Sequence, residues 1–64
     1  MLRRWAVQFE AEMETGPSGN FVIHIDAETW DQAWDVAERL PDEWLQEEAP
    51  DAVGFEPNAI WSIE

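Results

Sequence analysis

Hydrophobic and polar positions alternate along residues 5–14 with a period of two, which is typical of a strand with one buried face. The larger apolar side chains fall on one side: Trp5, Val7, Phe9, Ala11 and Met13. Small, polar or acidic residues occupy the other side: Ala6, Gln8, Glu10, Glu12 and Glu14. The pattern predicts a first strand that packs one face on a core.

A second strand is predicted after a run of turn-forming residues. Residues 15–20 read TGPSGN, in which Gly16 and Gly19 can adopt positive φ. Alternation then resumes in residues 21–26, FVIHID, with Phe21, Ile23 and Ile25 on one side and Val22, His24 and Asp26 on the other. Two alternating runs around such a turn predict an antiparallel hairpin.

A helix is predicted to begin at Thr29. Thr29 and Gln32 have the spacing of a capping box, in which the hydroxyl accepts from a first-turn amide and the later side chain reaches back to the cap. Apolar residues then recur every three or four positions and share one face: Trp30, Ala33, Trp34, Ala37 and Leu40. Pro41 is expected to end or kink this helix at Leu40, or to begin a second short helix.

The remaining chain is predicted to form a loop and a third strand. Residues 50–58, PDAVGFEPN, are interrupted by proline and glycine and are expected to form a loop. Residues 59–64, AIWSIE, predict a closing strand with Trp61 and Ile63 on one face and Ile60 and Ser62 on the other.

These elements predict one α+β domain over residues 1–64 with the order β-β-α-β. We expect a mainly antiparallel three-stranded sheet in the order 2-1-3, with one kinked helix or two short helices on one face. The alternative places the third strand parallel to the second through a right-handed crossover. Trp30, Trp34 and Trp61 are expected to join Trp5 in the core, whereas the pattern leaves open whether Trp44 is buried.

Charge is the unusual property of the composition. Fifteen acidic residues against three basic ones give a formal net charge of −12. Such a charge disfavours nucleic acid and anionic membrane as direct partners and favours a basic protein. The chain has no cysteine, so thiol chemistry and disulfides are excluded. No apolar run predicts a signal peptide or a membrane span, and we expect a cytoplasmic protein.

The acidic residues have two interpretations. The simpler is a solvated surface that maintains solubility. The other is a partner-binding surface that imitates a phosphate backbone, although alternate strand residues about 6.6–6.8 Å apart have only about half the linear density of phosphates on one DNA strand. The candidate partner-binding residues are Glu10, Glu12, Glu14, Asp31, Asp35, Glu38, Asp42, Glu43, Glu47 and Glu48, with Trp44 as an apolar anchor.

Other chemistries find less support in the sequence. His24 stands alone, no phosphate-binding glycine loop or EF-hand spacing is present, and one helix on three strands leaves little room for an enclosed pocket. We therefore expect no enzyme activity and no cofactor, and we rank a divalent-cation site last. Val22 and Ile60 are predicted on the face away from the helix, where a homodimer through the face or an edge strand is an alternative.

Residues 21–40, FVIHIDAETWDQAWDVAERL, resemble a pattern found in small acidic bacteriophage-encoded proteins of the β-β-α-β type. The resemblance extends over about residues 5–63 and implies an accessory protein in the host cytoplasm. It carries no catalytic residues. The favoured function is a non-enzymatic binding protein that inhibits a basic host protein, with a nucleic-acid-handling enzyme as the preferred target. The alternative is a structural module that oligomerises through its sheet.

Overall fold

A three-stranded antiparallel sheet forms the frame of the protein. The computed structural model describes residues 1–63, with strands β1 (Arg3–Met13), β2 (Gly19–Ala27) and β3 (Ala52–Ser62) in the order β2-β1-β3. Helices α1 (Trp30–Arg39) and α2 (Asp42–Leu45) connect β2 to β3 across one face of the sheet. The predicted α+β class, the strand order and the two short helices are confirmed.

The hairpin has the predicted register and faces. Pairing runs without a shift from Arg3 opposite Ala27 to Ala11 opposite Gly19. Gly16 in the connection has a φ of 85°, whereas Gly19 already belongs to β2 and does not take positive φ. Positive φ is therefore required at one of the two glycines, where a side chain would be strained.

The third strand begins at Ala52, seven residues before the predicted start, so the assignment of residues 52–58 to a loop is wrong, whereas Pro50 and Asp51 lie in a turn. β3 is an edge strand and therefore tolerates Pro57. Proline has no backbone N–H to donate, and one side of an edge strand has no neighbouring strand that would need that hydrogen bond.

The register of β3 with β1 shifts twice. Ala59 lies opposite Gln8 but Pro57 lies opposite Phe9, so one β3 residue between them is unpaired. In the same way Gly54 lies opposite Glu12 and Ala52 lies opposite Met13. Asn58 and Val53 are therefore the extra residues of two β-bulges.

The bulge at Asn58 reverses the faces predicted for the end of β3. Trp61 pairs with Ala6 and Ile60 pairs with Val7. Trp61 therefore lies on the face away from the helices and is 43% exposed, whereas Ile60 packs against the core. The predictions of a core Trp61 and an outward Ile60 are both wrong.

Helix α1 begins and ends where the sequence indicates. The Thr29 hydroxyl accepts from the amide of Gln32 at 3.1 Å, and the Gln32 side chain accepts from the amide of Glu28, one residue before the cap. Leu40 and Pro41 are both extended and separate α1 from α2. The expectation that Pro41 ends the first helix at Leu40 is confirmed, and a short second helix follows with Pro41 as its N-cap, one position before the predicted first residue.

Alanines, rather than tryptophans, occupy the centre of the contact between α1 and the sheet. Ala33 and Ala37 are buried against Trp5 and Val7. Trp30 is 50% exposed and Trp34 is half-buried, with their rings edge-to-face at 5.8 Å. The prediction that both indoles lie in the core is wrong, because the small alanines bring the helix close and leave the large rings at the flank.

Candidate partner-binding surfaces

The sheet divides the candidate residues between two sides of the molecule. The helices cover the inner face, which carries Trp5, Val7 and Phe9. The outer face carries the alternate residues of β1, and among residues 1–63 no helix packs on it. Glu10 and Glu12 lie on the outer face, whereas the following candidates are exposed on the helical side: Asp31, Asp35, Glu38, Asp42, Glu43, Trp44, Glu47 and Glu48. The structure therefore does not bring them together into one surface.

Glu14 does not belong to the predicted carboxylate row. β1 ends at Met13, and Glu14 lies in the connection to β2, near Thr15 and Asp51. The strand ends because the turn residues that follow cannot continue the pairing with β2, whose first residue is Gly19 opposite Ala11. The outward row on β1 therefore consists of Glu10 and Glu12.

A third carboxylate completes the acidic end of the outer face. Glu56 on β3 lies directly opposite Glu10, and Glu12 lies opposite Gly54. A methyl group added at Gly54 would lie 3.3 Å from Oε2 of Glu12, so this glutamate extends across the glycine. The sequence reasoning missed Glu56 because it placed residues 50–58 in a loop; the alternation of Phe55, Glu56 and Pro57 was the available signal.

The other end of the outer face is apolar. Ala6 is only 2% exposed although no helix covers it, because its cross-strand neighbours His24 and Trp61 flank it. Val22 is exposed nearby, and Arg4 pairs with Asp26 at 3.6 Å beyond it. The outer face thus has a carboxylate end and an aromatic end.

On the helical side, an exposed indole lies in the acidic segment that contains α2. Trp44 is 65% exposed, and Asp42, Glu43, Glu47 and Glu48 are its close neighbours in sequence. The α1 carboxylates differ, because one of them, Asp35, forms an ion pair at 3.3 Å with Arg39, which lies one helical turn further along the chain. That pair is exposed and contributes little to stability, but it reduces the negative charge that α1 presents.

A groove of about 330 Å³ lies between α2 and β2. Its apolar lining consists of Ile23, Ile25, Leu40, Trp44 and Leu45. His24, Glu47 and Glu48 complete its lining. The sequence reasoning singled out Trp44 but not this groove, because the groove depends on where Pro41 turns the chain after α1.

Among residues 1–63, no group of three or more histidine, cysteine, aspartate or glutamate side chains is arranged to hold a metal ion. In the same residues, no helix is long and apolar enough to cross a membrane.

No protein-family model matches the chain, and neither the curated proteins nor the solved structures compared with it include a significant match. Functional proposals therefore depend on the chemistry of its own surfaces.

Proposed function

We propose that this chain is a non-enzymatic acidic binding protein that engages and inhibits a basic protein. The observation that carries the proposal is the exposed indole of Trp44 in an acidic segment whose carboxylates form no ion pair within residues 1–63, on a chain of net charge −12. Charge complementarity accelerates association and selects basic partners, and a buried aromatic anchor slows dissociation. The preferred partner is a nucleic-acid-handling enzyme, whose basic groove attracts carboxylates on a rigid frame. The resemblance to bacteriophage accessory proteins makes the host cytoplasm the proposed place of action.

Two charge-reversed variants test this proposal. One carries lysine at Glu10, Glu12 and Glu56 on the outer face, and the other carries lysine at Glu43, Glu47 and Glu48 near α2. Both change the net charge equally, so a difference between them reports a surface rather than total charge. A partner would first be captured from nuclease-treated host lysate by elution with rising salt, and then purified for affinity measurements at several ionic strengths.

The expected result is weaker binding and a flatter salt dependence in at least one folded variant. The proposal fails if no protein is retained above background, or if both variants bind the purified partner as the original chain does. Inhibition is tested separately by measuring the partner's activity with and without the chain. A partner that is bound but retains full activity would exclude an inhibitory role.

The second candidate is an assembly module that pairs through the aromatic end of the outer face. The observation favouring it is that Trp61 and Val22 are exposed next to Ala6 on a face with no helix. Light scattering at low and high salt distinguishes the candidates. A dimer that persists at high salt and is lost in Trp61→Ala supports assembly, whereas a monomer under both conditions excludes it.

A further inference from the structure

The two edges of the sheet differ in their capacity to accept another strand. The β3 edge is disrupted by two bulges and by Pro57, and Nε1 of Trp30 donates to the carbonyl of Ile60 at 3.3 Å. β2 has no proline and pairs with β1 without a register shift. Within residues 1–63 no strand pairs with the other edge of β2. A regular, unprotected edge is a template for strand addition.

The backbone groups that face outward from β2 follow from the ladder. The amide of Ile63 donates to the carbonyl of Arg4 at 3.2 Å, so even-numbered β1 residues direct their backbone toward β3. Odd-numbered β1 residues then direct theirs toward β2, because the direction alternates along an antiparallel strand. The β2 residues opposite even-numbered β1 residues therefore present their amide and carbonyl groups to the free edge: Asn20, Val22, His24 and Asp26.

The groove beside α2 lies on the helical side of this same edge. Ile23 and Ile25 form its floor, and Trp44 and Leu45 form the opposite wall. A second depression continues along β2 past Gly19 and Phe21, and Glu48 contributes to both. A strand paired to β2 would lie about 4.8 Å away and would direct every second side chain toward this groove.

The chemistry of the groove selects those side chains. Its floor suits aliphatic residues, whereas Glu47 and Glu48 suit a cation whose aliphatic stem lies along Trp44. Arginine meets both requirements, since its guanidinium pairs with carboxylates and stacks on indoles. A second copy of this chain fits less well, because it would bring a further net charge of −12 to the same edge.

We propose that the β2 edge binds an extended segment of a partner protein by strand addition. Every second side chain of that segment faces the groove beside α2, and these side chains are aliphatic residues and an arginine. This inference rests on the proposed function and identifies the surface and the partner chemistry. The contacts combine backbone hydrogen bonds to β2, apolar burial against Ile23 and Ile25, and an ion pair with Glu47 or Glu48.

The first test uses the full chain and an acetylated, amidated heptapeptide, Thr-Val-Thr-Arg-Thr-Val-Thr, followed by amide NMR titration. When the peptide pairs antiparallel to β2, which is the arrangement we propose, its valines and arginine face the groove and its threonine amides face β2. Shifts are expected along β2 and α2. N-methylation of the interior threonines should weaken binding about tenfold or more, whereas N-methylation of the valines should not. Equal effects of the two modifications, or shifts confined to Glu10, Glu12 and Glu56, would overturn strand addition.

The second test changes the protein. Val22→Pro removes an outward amide that the β1 ladder does not use, and Val22→Ala is its control for the lost side chain. The proline variant should lose peptide binding, and Glu48→Gln should weaken it; Glu38→Gln on α1 is the matched control and should not. Circular dichroism establishes folding, and the N-methylated peptides give the answer if Val22→Pro does not fold.

The outcomes separate this inference from the proposed function. A captured basic partner that binds Val22→Pro and Val22→Ala equally well, with salt dependence intact, would exclude the β2 edge and leave the acidic binding protein standing. Absence of binding to both the peptide and any basic protein would remove both. A chain that dimerises by itself, and becomes monomeric in Val22→Pro, would identify a second copy as the occupant and overturn the proposal.

Discussion

The indole Nε1 of Trp5 donates a 2.9 Å hydrogen bond to the backbone carbonyl of Ala27, and both residues are buried. This bond joins β1 to the end of β2, where the chain leaves the sheet for α1. Trp34 provides the contrast, because its Nε1 is buried and has no hydrogen-bond partner among the described residues. The two indoles therefore contribute differently to stability although both lie on the helical side.

Substituting each of these tryptophans with phenylalanine should expose that difference. Trp5→Phe removes the hydrogen bond from the indole to the Ala27 carbonyl, which contributes about 0.5–1.5 kcal/mol, in addition to the lost ring area. Trp34→Phe removes ring atoms from a half-buried position together with an unpaired N–H, and the loss of that N–H offsets part of the cost. We expect Trp5→Phe to lower the free energy of unfolding by about 0.5–1.5 kcal/mol more than Trp34→Phe. Urea denaturation measures both, and equal losses would contradict the assigned role of the Trp5 bond.

The close approach of α1 to the sheet gives a second prediction. Ala33 is fully buried against Trp5 and Ala27. Ala33→Leu adds volume where none is available, and overpacking of this kind costs about 1–3 kcal/mol. Glu38→Leu places the same side chain on the exposed side of α1 and should change stability by less than about 0.5 kcal/mol. Thermal or urea unfolding of the pair gives the comparison; an Ala33→Leu protein as stable as the original would show that α1 can move away.

The elements that could be predicted from sequence depend on local rules. Alternation in residues 5–13 and 21–26 defines two strands, and Thr29 with Gln32 defines a helix start, irrespective of what packs against them. These features are determined within a few residues, so a single sequence carries them. The order 2-1-3 was predictable for a different reason: the hairpin places β2 beside β1, and the helical crossover returns the chain so that it can pair antiparallel with the other edge of β1.

The features that could not be predicted depend on contacts between distant residues. Whether Asn58 forms a bulge is decided by the pairing of β3 with β1, and that bulge alone places Trp61 outside and Ile60 inside. Helical periodicity puts Trp30 and Ala33 on one face but does not specify how closely the helix approaches. The groove beside α2 and the position of Glu56 opposite Glu10 are likewise properties of the assembled sheet.

The pairing of Glu10 with Glu56 gives a third prediction. Like charges directly opposite each other on a sheet are destabilising. Glu56→Lys replaces this repulsion with an attraction, whereas Glu47→Lys makes the same change in net charge away from the outer face. We expect Glu56→Lys to be the more stable protein by about 0.2–1 kcal/mol at low salt.

High salt is the control for that comparison. The difference between the two variants should shrink as the ionic strength rises, because the screening length falls from about 10 Å at 0.1 M salt to about 3 Å at 1 M, which is less than the about 4.5–5.5 Å between the Cβ atoms of a directly opposite pair. The original chain should itself gain stability with salt, because self-repulsion at a net charge of −12 is reduced. Melting temperatures across a salt series measure both effects, and a Glu56→Lys protein no more stable than Glu47→Lys at low salt would refute the cross-strand contribution.

The last prediction concerns the two exposed tryptophans on opposite sides of the sheet. Trp44 lies in the α2 groove among carboxylates, and Trp61 lies on the outer face beside Ala6. If Trp44 is the desolvated anchor, Trp44→Ala should leave the association rate of a captured basic partner unchanged and raise its dissociation rate about tenfold or more, because long-range charge governs encounter and short-range packing governs release. Trp61→Ala should change neither rate. Surface plasmon resonance gives both constants for each variant. An unaltered dissociation rate in Trp44→Ala would remove this indole from the interface, and a raised rate in Trp61→Ala alone would move the binding surface to the outer face.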